Sequence, residues 1–89
     1  MMERTVTIAN KNGLHARPSA EIVKAAAKFK SEITLIRDDL EVNGKSIMGV
    51  MMLAAEFGSQ LVLRADGPDE EAAIKALAAL IESKFGEHE

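Results

Sequence analysis

Between Arg4 and Phe85 the spacing of apolar residues switches repeatedly between the period of a strand and that of a helix, so the chain must break into short alternating elements. Arg4-Thr5-Val6-Thr7-Ile8 alternates polar and β-branched residues and predicts a strand with Val6 and Ile8 on its buried face. Asn10 to Gly13 break it. From Ala16 the spacing is helical, with Ala20, Val23 and Ala27 on one stripe, Ile22, Ala26 and Phe29 beside it, and Glu21, Lys24 and Lys28 outside. Pro18 suits the first turn of that helix. Glu32 to Val42 reads as a β-hairpin: Ile33 and Leu35 alternate with polar neighbours, Asp38-Asp39 turns the chain, and Leu40 and Val42 resume the alternation. Asn43-Gly44 ends it, and Ser46 is placed to N-cap a short helix from Ile47 to about Ala55. After Gly58-Ser59, Leu61, Leu63 and Ala65 predict another strand, closed by Gly67-Pro68. Asp69, Glu70 and Glu71 fall in the first turn of a last helix, where negative charge complements the dipole, and Ile74, Leu77, Ile81 and Phe85 form its stripe.

The order is βαββαβα, and each predicted helix has only one strongly apolar face. A single sheet covered on one side satisfies both facts, which makes the fold class α+β, an open-faced sandwich. At 89 residues the chain predicts one domain, 1–89, with a frayed tail at Gly86 to Glu89.

The charge balance narrows the partners. With 11 basic against 14 acidic residues, three Phe, and neither Trp nor Tyr, the chain has no basis for a cationic groove or a base-stacking platform, which argues against nucleic acid. The absence of Cys fits a reducing compartment without establishing one. Met1 to Asn10 carry no apolar run of signal-peptide length, and no stretch approaches the roughly 20 apolar residues of a membrane span, so a cytoplasmic protein without membrane insertion is expected.

Of the two histidines, His88 sits in the tail, whereas His15 stands where a Gly-containing loop meets a helix start, in Gly13-Leu14-His15-Ala16-Arg17-Pro18-Ser19. The backbone N–H groups of Ala16, Arg17 and Ser19 lie close by, and Pro18 has none. Such donors and the positive end of the dipole disfavour a second positive charge on the ring and favour an anion attached to it. Arg17 adds a fixed charge with planar donors suited to phosphate oxygens. Gly13 leaves the approach open and tolerates positive φ. The residues alone leave a plainer alternative, in which Arg17 is a solvated first-turn side chain and Gly13 a loop breaker. They also leave a passive anion-binding or interaction domain, in which His15 and Arg17 hold an anion without chemistry.

Gly13-Leu14-His15-Ala16-Arg17-Pro18 resembles the active-site motif of HPr, the histidine-containing phosphocarrier of the bacterial phosphoenolpyruvate:sugar phosphotransferase system. Asn43-Gly44-Lys45-Ser46-Ile47-Met48-Gly49-Val50-Met51 resembles that family's regulatory segment, and the similarity runs from Arg4 to Phe85. The resemblance implies a four-stranded antiparallel sheet with three helices on one face. It implies that His15 is phosphorylated at Nδ1 by phospho-Enzyme I, with assistance from Arg17 and the backbone of Ala16 and Arg17, and that the group passes to the A domains of sugar permeases. It implies a carrier with no cofactor and no metal, not a self-sufficient enzyme, and a monomer is the default expectation. HPr kinase/phosphorylase, acting at Ser46, and transcriptional regulators are further implied partners.

Gly44-Lys45-Ser46 looks like the end of a nucleotide-binding P-loop, but that loop needs a glycine five positions before Gly44, where Asp39 stands. The phosphoryl donor is therefore expected to be a protein. Ile47, Met48 and Met51 are candidates for an adaptable docking patch, because methionine repacks readily against different partners. Met51-Met52-Leu53-Ala54-Ala55 departs from the Met-Ser-Leu-Gly type found in sugar-system members at Met52 and Ala54. That departure keeps open an NPr-like carrier of the nitrogen-related regulatory system.

Overall fold

Strand pairing follows from where each strand puts its branched apolar residues. In the computed structural model, which describes residues 1–86, the strands are β1 (Met2–Thr7), β2 (Glu32–Arg37), β3 (Leu40–Asn43) and β4 (Gln60–Asp66), in spatial order β1-β4-β2-β3 with every pair antiparallel. Leu63 faces Leu35 and Leu35 faces Val42, so one buried row crosses β4, β2 and β3, and Val6 opposite Leu61 continues the same buried face into β1. A second pair, Ile33 with Ala65, lies on the same face. Helices α1 (Ala16–Ala26), α2 (Ile47–Met52) and α3 (Glu70–Glu82) cover that face, α3 lying against β1 and β4 and α1 touching both other helices. The other face carries Glu3, Thr5, Arg64 and Glu41, and Arg64 bridges Glu3 at 2.7 Å and Glu41 at 3.2 Å across the strands. This is the open-faced α+β sandwich expected from the sequence.

Three local expectations need correction. Ala20 and Ala27 are exposed, and α1 buries Pro18, Ser19, Ile22 and Ala26 instead. A methyl group offers little area, so the isoleucine sets the phase of the helix. Helix α2 ends at Met52 rather than Ala55, because Ala54 turns left-handed at φ 47°. Phe85 is buried as expected but lies beyond α3, in a 3₁₀ turn (Lys84–Gly86) where Lys84 and Phe85 both have positive φ. Gly86 closes that turn, and the rest of the expected frayed tail, with His88, lies outside the described residues.

Asp69 does more than complement a dipole. It is the N-cap residue of α3, yet its carboxylate accepts the backbone amides of Lys30 and Ser31, each at 2.9 Å, and the Ser31 hydroxyl. It therefore ties the start of α3 to the residues leading into β2, some forty positions earlier in the chain. The Ser31 hydroxyl, followed by the Lys30 amide, draws its pKa down from 3.8 to about 2. A carboxyl whose folded pKa is depressed stabilises the fold fully above its ordinary value and loses that contribution as pH falls towards the folded value. Asp69→Asn should flatten the acid limb of the stability curve in the interval from 3.8 down to about 2, read as the urea midpoint against pH. Parallel curves for the variant and the wild type across that interval would refute the assignment.

Candidate functional site

His15 is positioned by the loop that precedes it. The loop from Asn10 to Leu14 is a built turn: Asn10 is buried, its Nδ2 donates to the Gly13 carbonyl at 2.8 Å, and the Gly13 amide donates to the Asn10 carbonyl at 3.1 Å. The Leu14 amide then donates to the Ala55 carbonyl at 2.8 Å, which seats the loop on the segment after α2. Gly13 has φ 65°, and a Cβ there would stand 2.5 Å from the Ala55 oxygen and 2.9 Å from the Glu56 Cα. Its role is close backbone approach, not the opening of a path to the imidazole that the sequence suggested. Ser19, fully buried, donates its hydroxyl to the Leu14 carbonyl at 3.2 Å and holds the same residue from the helix side.

His15 is the N-cap residue of α1, in extended backbone at φ −77°, ψ −174°, and its side chain makes no capping bond to its own helix. The ring is half-buried and its Nε2 atom is enclosed by protein. The Ser19 amide donates to the His15 carbonyl at 3.0 Å, closing the first helical turn. Ser19 is therefore not one of the open donors expected from the sequence; the amides at the open end of α1 are those of Ala16 and Arg17. Both residues are exposed, as is the Arg17 side chain in the first turn.

Ser46 is the N-cap residue of α2. Its Oγ accepts the Gly49 amide at 3.2 Å, its carbonyl accepts the Val50 amide at 3.0 Å, and its own amide donates to Asn43 at 3.1 Å. The adjoining Lys45 donates Nζ to the Phe29 carbonyl at 2.8 Å, linking this corner to the end of α1. Ile47, Met48 and Met51 are exposed, and Met48 keeps 74% of its accessible area. Met52 and Phe57, at 65% and 63%, extend the apolar surface beyond the residues singled out in the sequence. Met52 enters the sequence reading only as a departure from the family pattern, not as a surface residue. Phe57 had no periodic neighbour to mark it. Among the described residues no helix is long and apolar enough to cross a membrane, and no group of three or more His, Asp or Glu is placed to hold a metal.

One consequence of the seat is measurable. Gly13→Ala combines positive-φ strain with backbone overlap, so it should cost about 3 kcal/mol or more in urea denaturation. Gly58→Ala is the control: φ is 87° there but nothing lies within 4 Å of the added methyl, so only the conformational cost of about 1 kcal/mol remains. Equal losses at the two positions would show that the close approach to Ala55 carries no energy.

Comparison with known proteins places this geometry. The family model for the PTS HPr component phosphorylation site matches residues 2–83. Phosphocarrier protein HPr of Treponema pallidum is 53% identical over 98% of this chain and 99% of its own length. Phosphocarrier protein NPr of Shewanella violacea is more distant, at 38% over 97% of this chain and 94% of its own. A crystal structure of HPr from Thermoanaerobacter tengcongensis superimposes with a TM-score of 0.96 at 55% identity, covering 100% of both chains. A crystal structure of an HPr dimer from the same organism gives 0.79 at 56% identity, over 98% of this chain and 100% of that one.

Proposed function

The chain belongs to the HPr family of phosphocarriers, and on that premise we propose that residues 1–89 form one carrier domain in which His15 accepts a phosphoryl group from phospho-Enzyme I and passes it to the A domains of sugar permeases. The observation that carries the reading is His15 at the open end of α1, beside the amides of Ala16 and Arg17, with its Nε2 atom enclosed by protein. The Nδ1 lone pair attacks phosphorus, an N–P bond forms, and the bond to the donor breaks with its electron pair returning to the donor group. The proton stays on Nε2. The reverse sequence delivers the group to the acceptor.

Phosphate oxygens on Nδ1 meet the amides of Ala16 and Arg17, the positive end of the dipole and the Arg17 guanidinium. The dipole contributes about 0.3–1 kcal/mol at an exposed helix end, enough to favour the anion without trapping it. A carrier needs that shallow well, because phosphate held tightly is not passed on. Its partners supply the other half of each active site, in the cytoplasm. The nitrogen-related branch is the second reading, supported by Met52 and Ala54 and opposed by the greater distance of the NPr relative. We take the transferring species to be a monomer. The solved HPr dimer makes a dimer the alternative, and sedimentation at transfer concentrations separates the two.

Phosphoenolpyruvate and a bacterial Enzyme I should add one acid-labile phosphoryl group by intact mass, absent in His15→Ala. If sugar-type and nitrogen-type Enzymes I both leave the wild type unmodified while phosphorylating their own carriers, His15 and Arg17 form a passive anion site.

Ser46 is the proposed regulatory site for an HPr kinase, and Ile47, Met48 and Met51 the proposed docking patch. A carboxylate at an N-cap accepts the same amide as a serine hydroxyl, so Ser46→Asp should leave the thermal midpoint within a few degrees. It should nevertheless slow phosphorylation of His15 by Enzyme I, because charge is added beside the patch. Unchanged transfer kinetics, or a large loss of stability, would refute the regulatory reading.

A further inference from the structure

We propose that Arg37 is a positioning residue for the phosphoryl site, acting by holding a strained turn at Ala54 on which the loop before His15 is seated; the inference rests on the carrier reading. Ala54 has φ 47°, in the left-handed region where a Cβ crowds the following carbonyl. Alanine has no polar atom with which to offset that strain, so something outside the residue must hold it. Arg37 is placed to do so. Its Nη1 donates to the Leu53 carbonyl at 2.9 Å and to the Ala54 carbonyl at 2.8 Å. These carbonyls lie at the C-terminus of α2, where partial negative charge accumulates and a guanidinium is favoured.

The backbone of Arg37 is itself fixed. It is the last residue of β2, paired with Leu40 across the hairpin, and β2 lies inside the sheet between β4 and β3. The very next carbonyl after the clamped pair, that of Ala55, accepts the Leu14 amide at 2.8 Å, and Leu14 precedes His15. An unbroken run of bonds therefore leads from a strand end to the imidazole. Without the guanidinium, Ala54 is free to relax to negative φ, and the Ala55 carbonyl moves with it. The loop seated on that carbonyl shifts, and His15 with it.

Arg37→Met keeps the aliphatic stem and removes both donors. The second-order rate of His15 phosphorylation by phospho-Enzyme I should fall about tenfold, less than the roughly hundredfold that a full ångström of misplacement costs. The Leu14 amide, which reports the seat directly, should exchange its hydrogen faster. Adding Ala54→Gly, which accepts positive φ without strain, should restore both readouts to within about twofold of wild type. Arg37→Lys, a single-point donor, should fall between, and with or without Ala54→Gly it carries the same comparison if Arg37→Met does not fold. Unchanged rate and exchange in Arg37→Met would overturn the proposal. So would a slow variant that Ala54→Gly does not rescue, since Arg37 would then act by touching the partner. Failure of the wild type to be phosphorylated would instead refute the carrier reading, and the Leu14 exchange data would still decide whether Arg37 holds the turn.

Discussion

Two loops distant in sequence approach each other until backbone meets backbone, and the Leu14 amide closes the gap on the Ala55 carbonyl at 2.8 Å. Only a residue without a side chain fits beside that bond, which is why Gly13 stands there with a hypothetical Cβ 2.5 Å from the same oxygen. Much of the structure serves this seam. Asn10 and Ser19 hold the loop from its two sides, the buried sheet face sets the distance between α1 and the segment after α2, and Arg37 braces the turn that presents the carbonyl. The proposed acceptor histidine is thus half-buried at a helix end and held through the backbone on either side of it.

That combination suits a chain this small. A domain of 89 residues buries only about two thirds of the surface its unfolded chain exposes, which favours a site at an edge over an enclosed one. The one-sided sheet makes this workable. All three helices lie on the same face, their apolar residues filling the space above Leu35, Leu61 and Leu63, and the start of α1 is left facing outward.

Much of this was legible in the sequence because it is written in local spacing. Val6, Ile33, Leu35, Leu61 and Leu63 alternate, Ile74, Leu77 and Ile81 follow a helical stripe, and His15 stands next to Pro18 at a helix start. What stayed hidden depends on contacts between residues far apart. Asp69 looks like a first-turn carboxylate until Lys30 and Ser31 arrive from elsewhere in the chain. Arg37 looks like the charged end of a strand, and nothing nearby indicates the carbonyls of Leu53 and Ala54. The end of α2 was misread for the same reason: no glycine marks the stop, because a distant guanidinium holds an alanine in the conformation a glycine would adopt.

The two short-range helix starts show how one position can serve opposite purposes. His15 and Ser46 are both N-cap residues in extended backbone. The Ser46 Oγ accepts the Gly49 amide, so its side chain is part of the helix it begins, whereas His15 makes no capping bond and commits its carbonyl to the helix. A helix without a side-chain cap gives up roughly 1 kcal/mol. For α1 the Ser19 hydroxyl on Leu14 and the seam at Ala55 hold the entry instead. An open helix end at which the side chain makes no capping bond leaves that position to be chosen for its reactivity, which suits the role of phosphoryl acceptor proposed for His15. At α2 the cap is structural first. Any charge placed on it acts on the surrounding surface, where Met48 and Met51 are exposed, rather than on the reaction centre itself.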